Sequence, residues 1–165
     1  MKQKGFSLIY LIVFLSVVGA ITFVVFKYYD PVGMVQDRIN SKKINDLNNV
    51  KKAIEYFYNV HGKYPKYSDK DPKYRIVRLD GSVANWGEQW TPYMSNLPKD
   101  NLSNNYVYFS DGQKYYLYAS LNKRPLANLC KNDGSVCDGI INNNIPFDAC
   151  GGICNYGISS ANVSP

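Results

Sequence analysis

The chain opens with MKQKGFSLIYLIVFLSVVGAITFVVFK, residues 1–27, in which two lysines and a glycine precede 21 uncharged residues, 6–26. At about 1.5 Å per residue, a helix of this length spans roughly 32 Å, which matches the hydrocarbon core of a bilayer. Because Lys2 and Lys4 precede it, the positive-inside rule keeps the N-terminus in the cytoplasm and places everything after Lys27 outside. The segment therefore predicts a single membrane-spanning helix that carries an exported remainder.

The far end of this segment does not look like a secretion-signal cleavage site. A cleaved signal has a shorter apolar region that ends in a small-x-small motif. Here the sequence reads ITFVVFKYYD, residues 21–30, and is crowded with bulky side chains. The conspicuous small residue is Gly5, on the cytoplasmic side of the segment. We therefore expect the apolar helix to be kept.

A short basic leader, a glycine, Phe-Ser-Leu-Ile and an uninterrupted apolar helix resemble the prepilin N-terminus of type IV pilins and of type II secretion pseudopilins. The resemblance implies that a prepilin peptidase cleaves between Gly5 and Phe6 and that the new Phe6 amine is methylated. It also implies a homo-oligomeric filament, built through the N-terminal helix by an assembly ATPase and a platform protein. An uncleaved single-span anchor is the alternative.

The chain departs from the family pattern at Tyr10, where most pilins carry a glutamate. That carboxylate can pair with the N-terminal ammonium of a neighbouring subunit, whereas a phenol cannot neutralise the amine. The resemblance thus marks Tyr10 as an assembly position. It predicts a minor or tip subunit, or a filament that compensates the charge differently, for example by lipid or water near the spine.

Residues 27–61 predict an amphipathic continuation of the helix. Pro31 and Gly33 predict a kink or a short unwound stretch near residues 30–33. Beyond it, the apolar positions include a run spaced by 3, 4 and 3, the stripe of a helix packed along one side: Leu47, Val50, Ile54 and Phe57. Gly62 and Pro65 predict the helix end.

Residues 62–165 predict an antiparallel β-sheet head. Two stretches contain an Asp-Gly turn signal, YRIVRLDGSV at 74–83 and, more clearly, NYVYFSDGQKYYLYASL at 105–121. Between them, WGEQWTPYMSNLPKD at 86–100 predicts a loop wrapped over the sheet. The many tyrosines are assigned to sheet packing, with a stacking platform for sugars or nucleic acid as the alternative.

Four cysteines, Cys130, Cys137, Cys150 and Cys154, lie in the C-terminal segment 130–154, which is rich in Asn, Gly and Ser. In an exported head they predict two disulfides that pin this segment. The local pairs Cys130–Cys137 and Cys150–Cys154 are favoured, while nested pairing and a zinc site stay as alternatives. Within CKNDGSVCDG, residues 130–139, Asp133 and Asp138 are weak calcium candidates, because the ligand spacing of an EF-hand is missing and an Asx-rich turn is favoured.

The charge distribution and the absence of catalytic motifs argue against two classes of function, nucleic-acid binding and catalysis. The formal net charge of +6 is spread thinly along the chain, so a nucleic-acid partner is not indicated. The sequence shows no nucleophile–base pair, phosphate-cradling loop or paired carboxylates, and therefore predicts no enzyme and no cofactor other than the calcium candidate.

Together these features predict an α+β chain with a leader at 1–5, a membrane and filament-core helix at 6–26, its amphipathic continuation at 27–61 and a head at 62–165. With the resemblance, the expected fold is pilin-like, a long helix packed on an αβ-roll. The expected function is a structural subunit of a type IV pilus or related filament, held in the cytoplasmic membrane before assembly and at the cell surface afterwards. A minor pilin, a secretion pseudopilin and a monomeric membrane-anchored binding module are the alternatives, and roles in motility, adhesion or secretion stay open.

Overall fold

The computed structural model describes residues 8–28, 31–100, 105–122 and 129–165. The chain divides into two units, Met1–Ile39 and Asn40–Pro165. It is an α+β chain whose elements in order are α1 (Leu8–Tyr28), α2 (Pro31–His61), β1 (Ile76–Val77), β2 (Val83–Ala84), β3 (Val107–Ser110), β4 (Tyr115–Ala119), α3 (Asp138–Asn142) and β5 (Tyr156–Ser159).

Helix α1 has 21 residues, none of them buried. The hydroxyls of its serine and threonine are bonded within the helix, since Ser16 Oγ donates to the carbonyl of Val13 and Thr22 Oγ1 to that of Val18, both at 2.8 Å. These two hydroxyl groups therefore need no hydrogen bond from water, which suits an apolar environment.

The described part of helix α2 runs from Pro31 to His61. Residues 31–33 are helical, so an unwound stretch across them is wrong; a kink depends also on residues 29 and 30, outside the described residues, and stays a prediction. The helix ends at His61 as expected. Gly62 adopts φ of 68°, and its amide donates to the Tyr58 carbonyl at 2.7 Å.

The predicted stripe of α2 is confirmed. Its apolar residues lie in the main core of the head, each at most 5% exposed: Leu47, Val50, Ala53, Ile54 and Phe57. The same core contains Trp90 from the predicted middle loop, which is 1% exposed and bridges to Met94. The loop is therefore anchored in the core by Trp86, Trp90 and Leu97, while most of its other residues are exposed.

Both predicted hairpins are confirmed. Strands β1 and β2 form a small antiparallel pair, and β3, β4 and β5 form an antiparallel sheet in that order, with Val107 opposite Tyr118 and Tyr116 opposite Ser159. Strand β4 is central and buried along its whole length. Its alternate residues serve two cores, because Tyr115 and Leu117 face the main core while Tyr116 and Tyr118 face a second one.

The C-terminal segment has more structure than its composition predicts. It contributes α3 and, together with Val107, Tyr116 and Tyr118, a second buried cluster, and strand β5 follows it. From the segment itself the cluster buries Cys137, Ile140, Ile145, Cys150 and Cys154. The segment therefore packs its buried residues on the second face of β4 rather than on itself.

Candidate functional site

The candidate site for assembly or membrane insertion is the surface of α1. Its large apolar side chains are between 42% exposed at Val18 and 82% exposed at Tyr28. By length and composition, the helix that starts at Leu8 can cross a membrane. Apolar surface in water costs about 25 cal/mol per Å², so a helix that is apolar on all sides requires lipid or protein around it.

The predicted site residues on this helix are placed in part. Tyr10 lies in the first turn of the described helix and is 70% exposed. Gly19 is open, since a Cβ built there meets no atom within 4 Å. Gly5 and Phe6, the predicted cleavage and methylation site, lie outside the described residues.

The cysteines form the two local pairs. Cys130 and Cys137 are disulfide-bonded with Cα atoms 5.2 Å apart, and Cys150 and Cys154 with Cα atoms 5.4 Å apart. Because all four sulfurs are bonded in pairs, no thiolate is left for a zinc ion, and the nested pairing is not formed.

The calcium candidates have local partners. Asp133 Oδ1 accepts the amide of Ser135 at 2.9 Å, and this bond is the main reason that the pKa of Asp133 is lowered. Asp138 pairs with the Lys131 ammonium at 2.6 Å. Among the described residues, no three His, Cys, Asp or Glu side chains gather where they could hold a metal ion. The geometry of Asp133 is that of the Asx-rich turn.

Two buried tyrosines, Tyr106 just before β3 and Tyr115 on β4, are hydrogen-bonded to α2. Tyr106 donates to Asp46 at 2.7 Å and Tyr115 to Glu55 at 2.8 Å. Burial, followed by the hydrogen bond to each carboxylate, raises the pKa of both phenols. Their rings are at most 1% exposed, so these two cannot stack on a ligand, and a stacking platform built on them is wrong.

Two polar contacts of the head were missed by the sequence patterns. Lys43 lies on α2 with its side chain 3% exposed, pairs with Asp100 at 2.9 Å and donates to the Ser120 carbonyl at 2.8 Å. His61 Nε2 and the Tyr93 hydroxyl lie 2.6 Å apart, so the histidine is anchored to the middle segment. Neither pair could be found from spacing, because the partners are 57 and 32 residues apart.

The head also contains a cleft of about 480 Å³ that no sequence motif indicated. Three segments line it: the exit of α2 at residues 63–66, the β1–β2 connection at 77–81 and the β3–β4 turn at 111–113. The volume falls in the range of natural ligand sites. The three segments are far apart in the sequence, and no local pattern indicates that they come together in the fold.

Comparison with family models, with curated proteins and with solved structures finds no match for this chain. The functional argument therefore depends on the leader motif, on the uncovered helix α1 and on the head.

Proposed function

We propose that this chain is the structural subunit of a type IV pilus-like filament. A prepilin peptidase removes residues 1–5, Phe6 becomes the methylated N-terminus, and α1 is kept as the polymerisation element. The observation that carries the proposal is that α1 has no buried residue, whereas the unit Asn40–Pro165 encloses cores of its own. Because the apolar side chains of α1 are exposed, we assign their covering to partners outside the chain.

The physical logic is that α1 has two successive environments. In the membrane, lipid covers its apolar side chains; in the filament, the same helix of neighbouring copies covers them and keeps them from water. Small residues let such helices approach closely, and α1 offers Ser16, Gly19, Ala20 and Thr22. The hydroxyls of Ser16 and Thr22 are already bonded within the helix, so close packing there costs no unsatisfied donor.

Tyr10 supports a minor or tip subunit as the specific form of this function. A phenol cannot balance the ammonium of a neighbouring Phe6, so incorporation at every position of a filament would leave that charge uncompensated. Substituting Tyr10→Glu and measuring the amount of this chain in filaments tests the point. A large gain supports low natural occupancy, and no change rules out charge pairing as the reason for low occupancy.

The competing function is a monomeric membrane-anchored module. Shearing cells and labelling the released material with antibodies to the head, under the electron microscope, separates the two. We expect the chain in filaments of wild-type cells and its loss from sheared material when the prepilin peptidase is deleted, at equal total amounts by immunoblot. Recovery of the chain solely as detergent-released monomers from wild-type membranes would contradict the proposal.

A further inference from the structure

The cleft at the exit of α2 is a built feature, because hydrogen bonds tie its three walls together. The amide of Tyr64 donates to the Gly112 carbonyl, and the amide of Val77 to the Lys66 carbonyl, both at 2.9 Å. The buried hydroxyl of Tyr108 donates to the Pro65 carbonyl at 2.7 Å. A cleft whose walls are fixed in this way loses little conformational entropy when it binds a partner.

The cleft has an apolar floor and an excess of positive charge. Two of its charged groups are already compensated: Arg78 pairs with Glu88 at 3.2 Å, and Asp111 accepts the amide of Gln113 at 2.9 Å and lies 3.8 Å from the Lys114 ammonium. Lys63 and Lys66 are exposed and pair with no carboxylate among the described residues.

The floor beside these lysines is aliphatic and accessible. Leu79 is 64% exposed and Val77 is half-buried, whereas the aromatic rings of Phe57 and Tyr64 are 2% and 8% exposed. A sugar would require an open aromatic face, which is nearly absent from the lining of this cleft. An apolar side chain next to a carboxylate is the better match.

The surface of the same head has an exposed apolar side chain next to a carboxylate. Phe147 is 64% exposed and is followed by the exposed Asp148, which pairs with no cation among the described residues. The turn is fixed, because the amide of Cys154 donates to the Phe147 carbonyl at 3.1 Å, the amide of Gly151 to that of Asp148 at 2.8 Å, and the Cys150–Cys154 disulfide closes its base. We call residues 146–149 the knob.

We propose that the knob of one copy inserts into the cleft of the next copy, with the Phe147 ring on Val77 and Leu79 and the Asp148 carboxylate between Lys63 and Lys66. The inference deepens the proposed function and rests on it. Knob and cleft are different surfaces, so the contact is heterologous, the type that propagates as an open polymer when the rotation does not close a ring. An aromatic anchor in a fixed pocket, with charge pairs at its rim, is the usual form of such a contact.

Photo-crosslinking in the full chain tests the contact. We would place a benzoylphenylalanine at position 147, mix isotopically light and heavy chains in one membrane, and map the products by mass spectrometry. We expect intermolecular products between position 147 and residues 63–66 or 77–81. The matched control is the same group at Ile141, which is 56% exposed on α3 and should not give these products. Products elsewhere on the chain, or with a different protein, would overturn the inference.

Charge reversal separates a specific contact from chance proximity. Lys63→Glu with Lys66→Glu should reduce the crosslink at least about tenfold, and adding Asp148→Lys should restore it, because like charges in contact are costly. Lys51→Glu with Lys52→Glu, the same charge change on α2 and away from the cleft lining, should have little effect. Tryptophan fluorescence checks that each variant is folded. An unchanged yield in the reversed cleft would overturn the charge pairing.

The outcome is distinguishable from that of the proposed function. Filaments without the crosslink would refute the knob-in-cleft contact alone. Crosslinked copies in membranes of cells that never form filaments would support the contact and refute the filament. The absence of both would refute both.

Discussion

Two helical stretches of similar length, α1 and the part of α2 at residues 40–61, differ in what covers them. Every residue of α1 is exposed, although nearly all are apolar. The second stretch is mixed in polarity, yet its apolar stripe is almost completely buried, with Ile54 at 0% and Phe57 at 2% exposure. Hydrophobicity alone therefore does not decide which helix lies in the core.

The difference comes from how each helix matches a partner within the chain. The stripe of α2 is narrow and fits the main core, and its polar neighbours reach across to the sheet, as Asp46 does to Tyr106 and Glu55 to Tyr115. A helix that is apolar on all sides, like α1, is typical of a membrane or of the centre of a larger assembly. We therefore expect different surroundings for the two stretches, so that substitutions in one should not behave like substitutions in the other.

The largest contrast should come from paired arginines. Leu15→Arg with Val18→Arg in α1 should cost about 5–7 kcal/mol of membrane insertion, since each central arginine costs about 2.5–3.5 kcal/mol. Tyr56→Arg with Val60→Arg in α2, at positions 51% and 56% exposed, should leave insertion unchanged. The measurement is the fraction of the chain in carbonate-washed membranes. Equal membrane fractions for the two doubles would remove the distinction between the helices.

Replacing a phenylalanine in each helix should have the opposite effect, with the larger loss of stability in α2. Phe57→Ala should lower the free energy of unfolding of the head by about 3–5 kcal/mol, because Phe57 packs on Trp90 and His61 in the core. Phe14→Ala, at a position 64% exposed, should change it by less than about 0.5 kcal/mol. Denaturant titration in detergent, followed by the fluorescence of Trp86 and Trp90, measures both. A comparable loss for Phe14→Ala would mean that α1 is part of the head core.

Adjacent lysines of α2 should differ in the same way. Lys43→Met should cost about 3 kcal/mol, because it leaves the Asp100 side chain, 8% exposed, without the cation that balances it. Lys42→Met removes the partner of Asp46 in a pair whose lysine is 54% exposed, and should cost less than about 1 kcal/mol. The same denaturant titration applies, and equal costs would contradict the assignment of Lys43 to the interior.

The smallest effect should be an alkaline loss of stability. Burial, followed by the charge of Glu55, raises the pKa of Tyr64 to about 12, from 10.0. A raised pKa in the folded state means that this stability is complete below pH 10 and is lost as pH rises from 10 through about 12. In Glu55→Gln the part of the tyrosinate absorbance that develops near pH 12 should therefore move to lower pH than in the wild type. No change in that late part of the titration would show that the Glu55 contact with Tyr64 is not formed in solution.

Local patterns predicted much of the fold. The helix end at Gly62, the stripe from Leu47 to Phe57 and the turn at Asp111-Gly112 depend on neighbours in sequence, and each is confirmed. Strand β5 was missed because Tyr-Gly-Ile-Ser has no alternation, and its position is set by pairing with β4, about forty residues earlier in the chain.

Among the candidate sites too, those defined by local sequence could be predicted and those defined by distant contacts could not. The apolar run of α1 is visible in sequence because composition alone defines it. The cleft was not predictable, since it depends on three turns that meet through hydrogen bonds such as that from Tyr64 to Gly112. The exposure of Phe147 was equally hidden, because it depends on how the Cys150–Cys154 turn projects from the second core.

The central claim, that α1 is kept as the mature N-terminus and serves assembly, is tested most directly by the intact mass of the chain purified from sheared surface material. We predict a chain that begins at Phe6, carries one methyl group and retains all of α1. A chain that still contains residues 1–5 in cells with an active prepilin peptidase, or one that begins beyond Tyr28, would contradict the account.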